Sequence, residues 1–220
     1  MTGSSKRRLR GAALFAAAIF CATSTMAMAN MEPVFGAKER SIKGVSLLSK
    51  WVRVLKLTVE ADAELPECNG EGNAAVPPCR LSDWQDIRDQ AINILDRLTQ
   101  MQFVNRQFNE QPYILDITNW GVSDYWETPK EFKMVSGDCE DYAIAKFLML
   151  RELGWPEEAM RIAVVHDTNL DIGHAVLIVD SEDTSWVLDN QTRTPLQMDR
   201  VLHYVPYYSF NSETTWLHRY

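Results

Sequence analysis

The chain has 220 residues, with 22 Lys or Arg against 30 Asp or Glu, so its formal charge is −8 at pH 7. This acidic balance argues against nucleic acid as a partner, because proteins that bind nucleic acid neutralise phosphates with basic side chains. The length and an apolar content of 46% predict one hydrophobic core.

The first 29 residues have the pattern of a secretory signal peptide. Four basic residues come first, and an apolar run over residues 12–20 leads to Ala27-Met28-Ala29 as a small-residue cleavage site. That run is too short to cross a bilayer, and no later apolar stretch approaches the length of a transmembrane helix. Cys21 raises a lipoprotein alternative, but Phe20 is too bulky for the usual lipidation motif. We expect an exported, periplasmic protein without a transmembrane segment, a single domain over residues 30–220 and a charge of about −12.

Three cysteines remain after export. Cys68 and Cys79 flank a loop rich in Gly, Asn and Pro, and an oxidising compartment favours a disulfide between them. Such a small ring would contribute about 3 kcal/mol of stability. The alternative, two unpaired buried thiols, has little apolar sequence around it. Cys139 is then the odd thiol, and an unpaired cysteine in an exported protein is a candidate reactive group.

The first half of the chain is predicted to be helical. Residues 42–59 favour one helix by length and apolar spacing. A second helix is expected after Leu81, with Ser82 as N-cap and Gln85 as its capping-box partner, fading near residues 105–109. Its apolar stripe is formed by Trp84, Ile87, Ile92, Leu95, Leu98 and Phe103. Residues 113–132 are aromatic and irregular, a composition typical of segments that line clefts.

A third helix is predicted from Cys139 to Leu153, ending at Gly154. Apolar residues surround its axis on nearly every side, so it should be central and buried. Three strands follow at residues 161–165, 174–179 and 185–188, with a hairpin turn at residues 180–184. A helical part over about 40–155 and an antiparallel part over about 160–220 predict an α+β fold.

Cys139 follows Gly137 and Asp138, and it lies among Asp138, Glu140 and Asp141 at the first turn of that central helix. The positive end of a helix stabilises a thiolate, whereas three adjacent carboxylates oppose it. A hard cation such as Ca²⁺, bound by these oxygens, would remove the conflict. The alternative is that Asp138 caps the helix while Glu140 and Asp141 complement its dipole.

His174 begins a buried strand after Gly173 and is the candidate base. If the hairpin turns about residues 182–183, His174 faces roughly residue 191, and Asp189 points to the same side of the sheet. A slip of one residue would present Asn190 instead. The alternatives for the base are His166, His203 and His218, and His174 could also be an ordinary core histidine. Neither an HExxH nor a CxxC motif occurs, so a zinc enzyme is not predicted.

Four segments together resemble one family. They are DYWETPKEF at 124–132, GDCEDYAIAK at 137–146, GHAVL at 173–177 and VLDN at 187–190. They are similar to the bacterial transglutaminase-like cysteine proteinases of the periplasmic LapG type, over about residues 84–210. The resemblance implies a papain-like fold with Cys139, His174 and Asp189 as the triad. It also implies calcium bound by Asp138 and Glu140, with Asp141 as a further ligand.

The resemblance implies a calcium-dependent endopeptidase that cuts the N-terminal region of a large surface adhesin near paired alanines and so controls biofilm attachment. Cys139 would attack the peptide carbonyl, its own N–H would help to bind the oxyanion, and His174 would protonate the leaving amine. An inner-membrane receptor for cyclic di-GMP would inhibit it. Two alternatives are a transglutaminase or amide acyltransferase with the same triad, and a binding module that has lost catalysis.

Overall fold

The computed structural model describes residues 32–62 and 81–219. The predicted signal peptide and the predicted Cys68–Cys79 disulfide lie outside the described residues. The described helices are α1 (Ser49–Asp62), α2 (Leu81–Ala91), α3 (Arg97–Asn109), α4 (Asp116–Asn119), α5 (Pro129–Val135) and α6 (Cys139–Glu152). The described strands are β1 (Lys38–Lys43), β2 (Met160–Asp167), β3 (Ile172–Ser181), β4 (Thr184–Leu188), β5 (Leu196–Gln197), β6 (Tyr204–Phe210) and β7 (Thr214–Arg219).

The strands form one sheet in the order β1-β7-β6-β2-β3-β4-β5, and every neighbouring pair is antiparallel. The three predicted strands are the central β2, β3 and β4. The predicted hairpin turn lies between Ser181 and Thr184, where Glu182 takes a positive φ of 56°. The helices between β1 and β2 and the antiparallel strands of the sheet confirm the predicted α+β class.

Helix α6 is the central element that the sequence predicts. Its ten residues from Asp141 to Leu150 are all buried, and it packs against β2, β3, α3 and α5. The helix ends before Gly154, whose φ of +81° suits a glycine after a helix C-terminus. In the described part of the chain, no helix is long and apolar enough to span a membrane.

Two helix predictions need correction. The helix predicted over 42–59 begins only at Ser49, because Ile42 pairs with Thr215 in the sheet and Gly44, at φ +94°, ends the strand. The helix predicted after Leu81 is two helices. Asp96 caps the second by accepting a hydrogen bond from the Thr99 N–H at 2.7 Å.

The break between α2 and α3 also removes two members of the predicted apolar stripe. Ile92 and Leu95 are 53% and 94% exposed. The prediction of Ser82 as N-cap is wrong as well, since α2 already includes Leu81.

The aromatic segment 113–132 is less irregular than predicted, because α4 and the start of α5 lie within it. Pro129 occupies the first turn of α5, and the preceding Thr128 forms a capping box with Glu131. This turn places the segment directly before the loop that leads into α6.

Candidate active site

The start of α6 is shaped by a carboxylate that folds back over a glycine. Asp141 accepts hydrogen bonds from the N–H groups of Asp138, at 3.0 Å, and Glu127, at 2.7 Å. A Cβ on Gly137 would lie only 2.1 Å from an Asp141 oxygen, so only glycine fits there. This packing fixes the turn that presents Cys139 as the first residue of the helix.

His174 and Asp189 meet as the hairpin register requires. Leu177 pairs with Leu188 in the β3–β4 ladder, which carries the side chain of Asp189 to the face of His174. His174 Nε2 lies 3.0 Å from Asp189 Oδ1, and both side chains are buried. Asp189, and not Asn190, therefore contacts the imidazole. A carboxylate at Nε2 leaves Nδ1 of the ring as the other nitrogen available to a proton.

Both carboxylate oxygens of Asp189 accept hydrogen bonds. Its Oδ2 accepts from the hydroxyl of Tyr204 at 2.5 Å, and its Oδ1 accepts from the N–H of Gln191 at 2.9 Å. Burial alone would raise the pKa of Asp189, but the hydrogen bonds and charge from His174, with those from Gln191 and Tyr204, lower it below the usual value. The Asp189 carboxylate is thus ionised and held in place.

The sulfur of Cys139 lies beside the first residues of β3. The N–H of Ala175, the residue after His174, faces it, and the thiol donates to Glu140 Oε2 at 3.2 Å. Cys139 is unbridged. Burial, then the charges of Glu140 and Asp138, raise the pKa of Cys139 well above its ordinary value. The conflict between the thiol and its acidic neighbours is therefore present in the folded chain.

The predicted ligands Asp138, Glu140 and Asp141 lie in three overlapping groups of acidic residues and the thiol. Asp138 and Asp141 join Asp116, with oxygens within 4.8 Å of one another and all three side chains buried. Glu140 lies on the other side, with Asp138 and Cys139, and it also approaches Asp116 and Asp124.

This cluster has the chemistry of a hard-cation site. Oδ1 of Asp116, Oδ1 of Asp138 and Oε2 of Glu127 are buried without a hydrogen-bond partner. Burial, and then the charges of neighbouring carboxylates, raises the pKa of Asp116 to about 7, of Glu127 and Glu140 to about 8, and of Asp141 to about 10. Oxygen donors of this kind and charge suit Ca²⁺.

Asp116 and Tyr204 are two site residues that the sequence reasoning missed. Asp116 lies 22 positions before Asp138, in a four-residue helix, and also accepts from the Tyr125 N–H at 2.5 Å. Tyr204 begins β6, a strand that was not predicted. The aromatic composition of 113–132, typical of a cleft lining, was the only signal that pointed towards Asp116.

The other histidines lie in different surroundings. His166 contacts the exposed Asp171 at 3.2 Å, and His218 is buried beside Ser209 at 2.9 Å. The ring centroids of His203 and Tyr204 lie 4.3 Å apart, with the ring planes inclined by 54°. None of the three has a hydrogen bond to Asp189 among the described contacts, which leaves His174 as the base candidate.

Lys146, two turns after Cys139, gives a stability prediction. It is fully buried, its Nζ has no hydrogen-bond partner, and burial lowers its pKa to about 7 against the favourable charge of Asp189. The unfolded chain keeps the Lys146 proton up to about pH 10.5, whereas the folded chain loses it near pH 7. The buried ammonium therefore lowers the free energy of unfolding at neutral pH, and this cost disappears as pH rises from 7 to 10.5. Lys146→Met should therefore raise the free energy of unfolding by about 2–4 kcal/mol at pH 7 and by less at pH 10.

Urea unfolding of the parent and Lys146→Met proteins at the two pH values, with calcium present, measures this difference. Comparing the two proteins at each pH cancels the titration of all other groups. A variant less stable than the parent at pH 7 would contradict the prediction and show that the ammonium is compensated inside the fold.

Comparison with solved structures finds close relatives of this arrangement. Calcium-bound Legionella pneumophila LapG is 29% identical, with a TM-score of 0.57, over 74% of this chain and 87% of that one. EGTA-treated Legionella pneumophila LapG is 27% identical, with a TM-score of 0.58, over 81% and 89%. The sequences of curated proteins include no match.

A family model describes the same relationship at the level of sequence. The model of the bacterial transglutaminase-like cysteine proteinases matches residues 73–218, which include Cys139, His174 and Asp189 and all strands from β2 to β6. This match covers well over half of the chain. The chain belongs to the family of bacterial transglutaminase-like cysteine proteinases.

Proposed function

We propose that the chain is a calcium-dependent, periplasmic cysteine endopeptidase with Cys139 as nucleophile, His174 as acid and base, and Asp189 as the group that orients the imidazole. The observation that carries the proposal is the 3.0 Å contact of His174 Nε2 with the buried Asp189 carboxylate, on the strand whose next residue, Ala175, faces the Cys139 sulfur. The family supports cysteine proteinase activity.

The proposed reaction has two halves. Cys139 passes its thiol proton to His174, and its sulfur forms a bond to the peptide carbonyl carbon while the carbonyl electron pair moves to oxygen. When this tetrahedral species collapses, the C–N bond breaks and His174 gives its proton to the leaving amine. Water, deprotonated by His174, then hydrolyses the thioester and returns the thiol. Asp189 stabilises the imidazolium in both halves.

Calcium is proposed as the cation of the carboxylate cluster. Asp116, Asp138 and Asp141 would hold it, with Glu140 at the edge beside the thiol. The unpartnered buried oxygens and the raised carboxylate pKa values support this, and a similar protein, Legionella LapG, is calcium-bound. The bound cation would offset the negative charge that now raises the pKa of Cys139.

The substrate proposal is an extended segment from the N-terminal region of a large surface adhesin, cut near paired alanines, so that the activity controls biofilm attachment. An inner-membrane receptor for cyclic di-GMP is proposed as the inhibitor. Both follow from the family resemblance and from the predicted signal peptide, which would deliver the enzyme to the compartment that such an adhesin crosses.

The test is direct cleavage. The exported protein, purified from the periplasm, is incubated with N-terminal segments of the large adhesins of its own genome, in calcium or in EGTA, and the products are sized by mass spectrometry. We expect one cut in calcium and none in EGTA. An intact adhesin segment in calcium would contradict the proposed substrate, and equal rates in EGTA would contradict the calcium dependence.

The same assay separates hydrolysis from acyl transfer. A labelled primary amine is added together with a glutamine-containing protein. An endopeptidase should release two peptide fragments and leave the label unincorporated, since water resolves the thioester. Label fixed to glutamine would instead identify a transglutaminase.

A further inference from the structure

The loop over residues 189–193 is held by the end of helix α3. It follows β4 directly and lies outside the ladders of the sheet, so its carbonyls need other partners where water does not reach them. The side-chain amide of Asn109 donates to the carbonyl of Asp189 and to that of Thr192, both at 2.8 Å. An amide nitrogen carries two hydrogens, and both are used here. The last residue of α3 thus fixes the main chain of Asp189 itself.

Asn105, one turn earlier on α3, holds the far end of the same loop. Its amide donates to the carbonyls of Thr192 and Arg193, at 3.2 and 3.3 Å, and its side chain is fully buried. Residues four positions apart lie on one face of a helix, so the two asparagines act side by side. Among the described contacts, Asn105 has no hydrogen bond to Asp189. The two amides therefore hold different parts of the loop.

The same end of α3 is also joined to the helix that carries the nucleophile. The hydroxyl of Tyr142, three residues after Cys139 on α6, donates to the carbonyl of Gln111 at 2.6 Å. Gln111 is only two residues after Asn109. The end of α3 thus connects the start of α6 to the loop of Asp189, the two parts of the chain whose side chains must meet at the imidazole.

We propose that Asn109 is a positioning residue for the triad. By holding the main chain of Asp189, it keeps the carboxylate on Nε2 of His174, where Oδ1 lies 3.0 Å away. Asp189 is then fixed at both ends, since the Tyr204 hydroxyl and the Gln191 N–H hold its carboxylate. Displacing that carboxylate would leave the imidazolium without its stabilising charge and slow the proton transfers. The inference deepens the proposed function and rests on it.

The alternative is that both asparagines only satisfy buried carbonyls and stabilise the loop. The two assignments differ in which variant loses more activity. Under the alternative, activity follows stability, and the fully buried Asn105 should matter at least as much as the half-buried Asn109. Under the proposal, kcat falls more when Asn109 is changed, because of the two amides only that of Asn109 donates to Asp189.

The experiment compares Asn109→Ala and Asn105→Ala with the parent enzyme, all as exported full chains in saturating calcium. We expect Asn109→Ala to lower kcat by about 10- to 10²-fold with KM nearly unchanged, since misplacing a catalytic group by about 1 Å costs up to about 10²-fold. Asn105→Ala should lower Tm at least as much as Asn109→Ala does, and kcat much less.

Two further variants separate the amide from its surroundings. Asn109→Gln keeps the amide, and a cavity of about 280 Å³ that Asn109 lines has room for the extra methylene, so this variant should recover part of the rate. Asn93→Ala is the matched control. The Asn93 amide also donates to a carbonyl, that of Asp89 at 2.7 Å, but in the turn between α2 and α3, so the rates should equal those of the parent.

An NMR measurement supplies a readout that needs no substrate and that a merely structural role would not move. The proton that His174 Nε2 shares with the buried Asp189 carboxylate should give a downfield signal in protein with isotope-labelled histidine. His174→Gln, which lacks this proton, assigns the signal. We expect the signal to move upfield and broaden in Asn109→Ala and to keep its position in Asn105→Ala.

Three results would overturn the inference: an unmoved signal in Asn109→Ala, no such signal in the parent, or a loss of kcat in Asn105→Ala as large as that in Asn109→Ala. Should Asn109→Ala not fold, Asn109→Ser, which leaves one donor for two carbonyls, is compared with Asn105→Ser in its place. A parent enzyme that cuts no adhesin in calcium contradicts the proposed function, while the NMR comparison still decides what holds Asp189.

Discussion

Replacing Cys139 by alanine should abolish cleavage while leaving the protein folded. The sulfur is the only atom in the proposed site that forms a covalent bond to the substrate, and losing a nucleophile of this kind lowers turnover by about 10³-fold or more. The small side chain keeps α6 intact, because Asp141, and not Cys139, makes the hydrogen bonds that shape its first turn. Adhesin cleavage followed over hours, with circular dichroism of the purified variant, measures both effects.

The calcium response of this variant is its internal control. Removing the thiol removes a group that Glu140 contacts at 3.2 Å, but leaves Asp116, Asp138 and Asp141 in place. Cys139→Ala should therefore still gain thermal stability from calcium. Residual cleavage at more than one hundredth of the parent rate, in a folded variant, would show that another group is the nucleophile.

The pairing of His174 with Asp189 could be predicted because strand periodicity is local information. One hairpin turn sets the register, and the alternation of side chains then decides that Asp189, not its neighbour Asn190, shares a face with His174. The turn residues and the apolar runs on both sides were all visible in the sequence. The described ladder has that register, with Leu177 opposite Leu188.

The other half of the sheet lacked such a signal. Strand β1 is mostly charged and exposed, as expected for an edge strand, and β6 contains Pro206, which weakens a strand prediction. Strand β1 forms because β7 pairs with it, and β6 forms because β2 and β7 pair with it. These contacts are distant in sequence. Tyr204, which holds Asp189, was missed for this reason.

The carboxylate cluster shows the same limit at the level of the site. Asp138, Glu140 and Asp141 are adjacent in sequence, so they suggested one set of ligands. On a helix, however, neighbouring residues point in different directions, and Glu140 faces the thiol while Asp141 turns back to Asp138. Asp116 completes the buried group from another segment, which only the folded chain brings close.

Calcium should stabilise the protein strongly at pH 8 and hardly at all at pH 5. In the metal-free fold the raised pKa values, about 7 for Asp116 and about 10 for Asp141, mean that these groups hold protons that the unfolded chain releases near pH 4. The folded state therefore binds more protons, and its stability falls as pH rises from about 4 through these pKa values. The pKa shift of Asp116 alone corresponds to roughly 4 kcal/mol of unfolding free energy. Losing this stability between pH 5 and pH 8 should lower the Tm in EGTA by about 10 °C.

Melting curves in calcium and in EGTA, at pH 5, 6.5 and 8, measure the calcium-dependent gain in Tm. We expect the gain to grow with pH, because the cation replaces the protons that these carboxylates lose. Asp116→Asn should raise Tm in EGTA at pH 8, since one repelled carboxylate is gone, and should remove most of the gain from calcium. Asp183→Asn, in the exposed β3–β4 turn, is the matched control and should behave as the parent does. If Tm changed equally with pH in calcium and in EGTA, or if Asp116→Asn kept the full gain in Tm from calcium, the cation would bind elsewhere.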